Sequence, residues 1–213
     1  DPVNDGLYGK LYNHYAVTDS RGLCPTGWHV PTDVEWNLLT IYLDPNSDTG
    51  CFYINNHYCA PSCQISSLLK STVTQPSLGG WISSIYPNTN ASGFSGLGAG
   101  YRNHDYFHGA YLDLNNVGFW WSSTLLPPYA SGRDITVTND CIAKVKHDLR
   151  FGFSVRCLKD GIPTISTTTV SGINATSATT GGVVTQDGGT PVTVRGVAYG
   201  TSSSPTTSGT ITN

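Results

Sequence analysis

Apolar residues fall at helical spacing in one part of this chain and in short blocks or alternations elsewhere. Val34, Leu38, Ile41 and Tyr42 recur at three- and four-residue steps, which predicts a helix over about 32–43 with that stripe on the core. Its start is marked by a capping box, Thr32 followed three residues later by Glu35. Pro31 fixes the approach and cannot sit inside the helix. The chain is organised around Cys24-Pro25-Thr26-Gly27-Trp28-His29-Val30-Pro31-Thr32-Asp33-Val34-Glu35-Trp36, which leads into this helix.

The other elements read as strands and loops. Residues 1–7 are a polar, extended lead-in, and the aromatic run Tyr8 to Val17 reads as a strand. Asp44 to Gly50 ends the helix, a cysteine-bearing loop runs to about 63, and Ser66 to Ser71 forms a short second helix. Gln75 to Asn116 is loop-rich, with glycines at 93–100 where close packing or positive φ is expected. Phe119 to Thr124 reads as a buried strand. Arg133–Thr138 and Cys141–Lys146 form a hairpin about Asn139-Asp140. Phe151 to Leu158 alternates and reads as a last strand. After Lys159-Asp160-Gly161 the aromatics almost vanish and Thr, Ser, Gly and Val take over, with strands expected at 163–170, 173–185 and 190–199. Two domains follow, 1–160 and 161–213.

Composition adds the setting. Charged residues are 12% of the 213, about half the usual share. The net charge is −3 and the 11 Lys and Arg are scattered, so no nucleic-acid footprint exists. No apolar run approaches the roughly 20 residues of a membrane span. The chain begins at Asp1 without a signal peptide and reads as a mature or excised product. Six cysteines, at 24, 51, 59, 63, 141 and 157, favour disulfides and an oxidising compartment. A zinc tetrathiolate of Cys51, Cys59, Cys63 and Cys141 is disfavoured by the lack of paired CxxC knuckles.

Candidate chemistry is sparse. Asp44, Asn46 and Asp48 stand at alternate positions, as at the start of a calcium loop, which makes calcium the one candidate cofactor. Thr49 and Asn55 stand where such a loop needs Gly and Glu, so a helix-ending turn is the preferred reading. His104 and His108 are spaced by four in a loop pattern, and His29 reads as structural. Trp81, Trp120, Trp121, Tyr101, Tyr106 and Phe107 are candidates for a carbohydrate-stacking face; Trp120 and Trp121 read as core instead, whereas Tyr106, Phe107 and Tyr111 lie in a more polar stretch as a candidate ligand-binding rim. Asn90-Ala91-Ser92 and Asn174-Ala175-Thr176 fit the glycosylation sequon. No nucleophile–base pair or phosphate loop is present, so no enzyme is expected.

The stretches "CPTGWHVPTDVEW", "GFSGLGAGYRN", "GFWWSST" and "FGFSVRCLKD" occur in this order, and the chain over roughly 8–160 resembles the Fibrobacter succinogenes major paralogous domain family of secreted and surface proteins. That family is similar in pattern to the C-type-lectin-like fold of the formylglycine-generating enzyme group. The resemblance implies an α+β domain with one main helix and long loops, acting as a non-catalytic surface module. Cys141 and Cys157 lack the sequence setting of that group's reactive thiols. The resemblance also implies a Cys24–Cys157 bridge, closing a loop of roughly 130 residues and worth about 4–5 kcal/mol in the chain-entropy model. Cys51, Cys59, Cys63 and Cys141 then form two further bridges of open pairing. The chain departs from the family in lacking an upstream strand segment and in its cysteine-rich insert. The tail resembles the first half of an immunoglobulin-like or fibronectin-III-like bacterial surface repeat.

A complete sandwich needs about seven strands over roughly 100 residues, and the tail supplies half of that. The expectation is a partial all-β sandwich whose missing strands come from a neighbouring copy, a truncated repeat and packing on the first domain being the alternatives. The sequence therefore points to an extracellular, non-catalytic filament or surface-array subunit whose partner is itself. The competing expectation is an adhesin holding glycan or protein on its aromatic loops.

Overall fold

The computed structural model describes residues 2–47, 64–74, 77, 79–104, 109–188, 192–200 and 210–212. The chain divides into two compact units, one of residues 1–26 with 30–158 and the other of 27–29 with 159–213. Helices and strands are mixed, and the strands form small sheets. No described helix is long and apolar enough to cross a membrane.

The chain opens with two short helices, α1 (Pro2–Tyr8) and α2 (His14–Val17), where an extended lead-in and a strand over 8–17 were expected. Local hydrogen bonds explain the change. Asn13 caps α2 by accepting from the Ala16 N–H at 3.0 Å. Gly9, at φ +74°, turns the chain after α1. Tyr12 is bridged to Phe153, and its carbonyl accepts from the Trp121 indole N–H at 2.8 Å.

After β1 (Trp28–His29) comes the main helix, α3 (Asp33–Leu43). The capping box is present: the Glu35 N–H donates to the Thr32 hydroxyl at 3.3 Å, and the Thr32 N–H donates to the Glu35 carboxylate at 2.8 Å. The buried face, however, is the other one. Val34, Leu38, Ile41 and Tyr42 are exposed, Tyr42 by 83%, while Trp36 and Thr40 are buried with Leu39 and Leu43 packed beside them. Both sets have helical spacing, so apolar periodicity alone did not choose between them. Asp33 and Asn37 share the face of Trp36 and Thr40, and both bond Arg133 of the sheet. Those polar anchors set the rotation of the helix.

The helix α4 (Ser66–Leu69) follows, close to the range expected. The strands β2 (Tyr101–Arg102) and β3 (Tyr111–Leu112) then pair with each other. The central sheet has the order β4 (Val117–Leu126), β5 (Tyr129–Thr136), β6 (Ile142–Asp148), antiparallel throughout. The β5–β6 pair is the hairpin expected about Asn139-Asp140, with longer strands. Successive strand side chains alternate, so Trp120 and Trp121 enter two different cores. Trp120 packs with Trp36, Leu69, Trp81, Ile135 and Val137. Trp121 packs with Val17, Val30, Ala130 and Phe153. Gly118 is required here, since a Cβ would collide with the Trp120 ring and meet the Leu97 carbonyl at 2.6 Å.

Residues 151–157 do not form the continuous strand expected. Gly152, Phe153 and Ser154 instead make single bridges to Arg102, Tyr12 and Trp120, because their neighbours come from three separate segments. Cys24 and Cys157 are disulfide-bonded, with Cα atoms 5.8 Å apart.

The second unit is built of two-stranded ribbons. It begins where β7 (Leu158–Lys159) pairs with β1. His29 Nδ1 lies 2.6 Å from Asp160 Oδ1, a structural role for this histidine. Antiparallel β8 (Thr164–Ser171) and β9 (Thr179–Gln186) follow, then β10 (Val197–Tyr199) paired with β11 (Thr210–Thr212). The strand expected from 173 starts only at 179, because the Asn174 side-chain Oδ1 accepts from the N–H groups of Thr176 and Ser177 and holds a turn. Of the strand expected at 190–199, only 197–199 is strand among the described residues.

Candidate functional site

Four groups of side chains stand out, and three of them hold the fold together. The first joins helix to sheet. Arg133, 1% exposed, donates to Asp33 at 2.7 Å and to Asn37 at 2.6 Å. Lys144 reaches the other Asp33 oxygen at 2.7 Å, and the Ser131 hydroxyl donates to the first at 2.7 Å. Burial opposes ionisation of Asp33, but Lys144, Ser131 and Arg133 outweigh it and hold the carboxyl below its ordinary range. Asp33 also stands in the first turn of α3, where the helix dipole favours a negative charge. With both Asp33 oxygens and both terminal nitrogens of Arg133 engaged, this cluster anchors α3.

The second group is aromatic. Tyr101, Phe119, Phe151 and Phe153 pack edge to face or stacked around His147, and His104 lies 4.7 Å from Phe151. Of the expected ligand rim, Tyr111 is in β3 and 75% exposed, while Tyr106 and Phe107 lie outside the described residues. On the same side of the sheet Asp134 is buried, and its Oδ1 has no hydrogen-bond partner. Burial pushes the Asp134 carboxyl up to about 7 and the His147 imidazole down to about 4.

These two shifts act in opposite directions on stability. Asp134 holds a proton in the folded chain that the unfolded chain releases near pH 3.8, so its contribution is present below that pH and lost as pH rises through about 7. His147 does the reverse: its contribution is present above pH 6.5 and lost as pH falls toward about 4. Asp134→Asn should therefore stabilise the protein at pH 8 by on the order of 2 kcal/mol. It should also leave stability rising between pH 4 and 6.5, where the parent is nearly flat. Urea unfolding at several pH values measures both effects.

The third group is the cysteines. Cys24 and Cys157 form the bridge that the family resemblance implied. Cys141 is also disulfide-bonded, and Cys51, Cys59 and Cys63 lie outside the described residues. Neither Cys141 nor Cys157 is therefore a thiol, and Cys141 is not a thiolate metal ligand.

The fourth group was not legible in the sequence. Thr74, Ser83, Ser84, Tyr86, Pro87 and Asn88 line an open polar depression of about 310 Å³. Lys70 lies behind it, fully buried, its amine 3.4 Å from the Ser84 hydroxyl and 5.7 Å from the centre of the Trp81 ring. These residues belong to a loop-rich stretch without periodicity, and only folding brings Lys70 against Ser84.

The remaining candidates are scattered. Asp44 caps the C-terminus of α3 and accepts from the Asn46 N–H at 3.0 Å, a helix-ending turn, and Asp48 lies outside the described residues. Among the described residues no three His, Cys, Asp or Glu side chains converge as a metal site. Asn90 donates to the Ser95 hydroxyl at 2.8 Å and accepts from the Ser95 N–H at 2.7 Å, so its amide staples a loop. Asn174 sits in an exposed turn.

Fold and site together define a disulfide-braced α+β domain followed by a unit of β-ribbons. The family model of the Fibrobacter succinogenes major domain matches residues 1–159, and the chain belongs to that family. No curated protein and no solved structure matches the chain significantly.

Proposed function

We propose that this chain is a non-catalytic, extracellular structural subunit that assembles with copies of itself by β-strand addition in the 159–213 unit. One observation carries the reading. Every residue of β8 is exposed, and among the described residues neither β8 nor β9 is hydrogen-bonded to a second strand. Ile165, Val170 and Val183 are exposed on this ribbon, by 69%, 49% and 59%. An isolated two-stranded ribbon is marginal in water, and its open edges pair readily with another strand. A donated strand gives main-chain hydrogen bonds along the edge and covers the apolar side chains. If the rotation between copies does not close, the product is a filament.

The disulfides support an oxidising, extracellular setting. The resemblance of the first unit to the C-type-lectin-like fold, and of the second to half an immunoglobulin-like sandwich, belongs to the same reading. A second reading, a surface binding module, is favoured by the polar depression at 74–88.

Sedimentation and negative-stain imaging test the proposal. The full chain should form concentration-dependent assemblies, and a chain ending at Asp160 should stay a folded monomer. Assembly of the shortened chain, or a full chain that stays monomeric at every concentration, overturns the reading.

A further inference from the structure

We infer that the acceptor edge is β8 and that the strand added to it is β8 of a second copy, running antiparallel about a two-fold axis at Thr167. The inference rests on the strand-addition reading above and names the edge, the donor and the register.

The edge is chosen by composition. Strands at sheet edges are ordinarily protected by charge, proline or short length. The edge strand β6 of the first unit follows that rule and carries Lys144, Lys146 and Asp148. The eight residues of β8 include no charge and no proline, and six of them are β-branched, the types that suit a pleated strand. The other strand of the ribbon is the poorer template: Gly181 and Gly182 stand side by side in β9, and β10 lies near it. Alternate N–H and C=O groups of β8 point away from β9, and among the described residues no strand receives them.

A register shift places the apolar side chains. Ile165 and Val170 are five residues apart, so plain alternation would put them on opposite faces. Thr168 pairs with Gly181 and Ser171 with Thr179, so Thr169 and Val170 together oppose the single residue Thr180. That bulge returns Val170 to the face of Ile165 and of its cross-strand partner Val184. It falls near the end of the strand and leaves Ile165 to Thr168 in regular register with Val184 to Gly181.

These positions suit self-pairing. With Thr167 opposite its own counterpart, Ser166 meets Thr168 of the second copy, and Ile165 meets the bulge of Thr169 and Val170. Each copy then covers the other's Ile165 with Val170, and hydroxyl side chains meet one another elsewhere. One contact closes both open edges, whereas adding β8 to β9 of the next copy leaves a β8 edge open at the end of every row. Two marginal ribbons become one four-stranded sheet. Such an isologous pair closes on itself, so the first assembly is a dimer, and longer assemblies need a further contact.

The test is sedimentation of the full chain at low ionic strength with charge placed on the axis. Gly182 stands opposite Thr167 in β9 and offers no side chain to collide with, so Thr167→Lys and Thr167→Glu should fold as the parent does. Each variant alone sets like charges opposite each other and should dimerise about five-fold more weakly than the parent. An equimolar mixture sets opposite charges together and should dimerise about ten-fold more tightly than either variant alone. If either variant loses the ribbon, Ser166→Lys combined with Thr168→Glu takes its place. The register sets those two opposite each other across the axis, so that chain should dimerise at least as tightly as the parent, and weaker dimerisation overturns the inference. A parent that assembles, with a mixture no tighter than its components, overturns the inference and leaves the strand-addition reading standing. A parent that stays monomeric at every concentration overturns both.

Discussion

Replacing Asp33 by Ala should destabilise the first unit by about 3–5 kcal/mol, because it strands a buried guanidinium. Arg133 is 1% exposed, and Asp33 is the carboxylate it touches, at 2.7 Å. Lys144 loses the same partner, 2.7 Å away on the other oxygen. The Asn37 side-chain oxygen and the Gly132 backbone carbonyl, at 2.6 and 3.0 Å from Arg133, hydrogen-bond the cation without neutralising it. Asp33→Asn should cost less, since its amide oxygen still accepts. A double variant, Asp33→Leu with Arg133→Met, should recover much of the loss, because the penalty comes from the unpaired charge rather than from the missing bond. Urea midpoints for the three variants separate these contributions. A loss below about 1 kcal/mol in Asp33→Ala would show that water reaches Arg133 and that the cluster behaves as a surface pair. Acid repeats the experiment in the parent protein: Asp33 is held below its ordinary range, so its contribution is present above the unfolded pKa and disappears as pH falls through the folded one.

Removal of the Cys24–Cys157 bridge should have an effect of similar size. The cysteines are 133 residues apart in sequence, and closing so long a loop in the unfolded chain is worth about 4–5 kcal/mol in the chain-entropy model. The bridge ties the segment before α3 to the segment that carries Phe153 into the second core. Ser at both positions should therefore lower the melting temperature strongly and remove this bridge's share of the sensitivity to reductant. Any remaining effect of reductant on the double variant reports the bond of Cys141. A double variant that melts with the parent would mean that packing alone holds the two segments.

The helix α3 shows how far the sequence could be read. Its start was legible because a capping box is local: Thr32 and Glu35 find each other whatever lies outside the turn. Its buried face was not, because two apolar stripes run along it and the choice falls to Arg133, about a hundred residues away. The hairpin of β5 and β6 and the burial of Trp120 and Trp121 were likewise legible from turn residues and bulk. The opening helices were missed because aromatic content at Tyr8 to Tyr15 looked like a strand, while Asn13 and Gly9 settle the backbone locally. The ends of the buried strand were also set from afar, by the register with β5.

The candidate site divides the same way. Cys24–Cys157 came from family resemblance rather than from spacing, and the structure forms it. The depression at 74–88 and the buried amine behind it had no signal, since Lys70, Ser84 and Asn88 share no period and no motif. The exposed stripe Val34, Leu38, Ile41 and Tyr42 was equally hidden, having been read as core.

By itself, then, the sequence determined the capped start of α3, the hairpin of β5 and β6, the change of character near 160 and the charge-poor composition. Each of these depends on side chains within a few residues of one another or on composition. The tertiary structure alone decided which face of α3 is buried, where Asp134 and Lys70 lose their water, and which polar groups remain unpaired. Those outcomes depend on contacts between distant segments, because burial and its electrostatic cost are set by everything that surrounds a group in space.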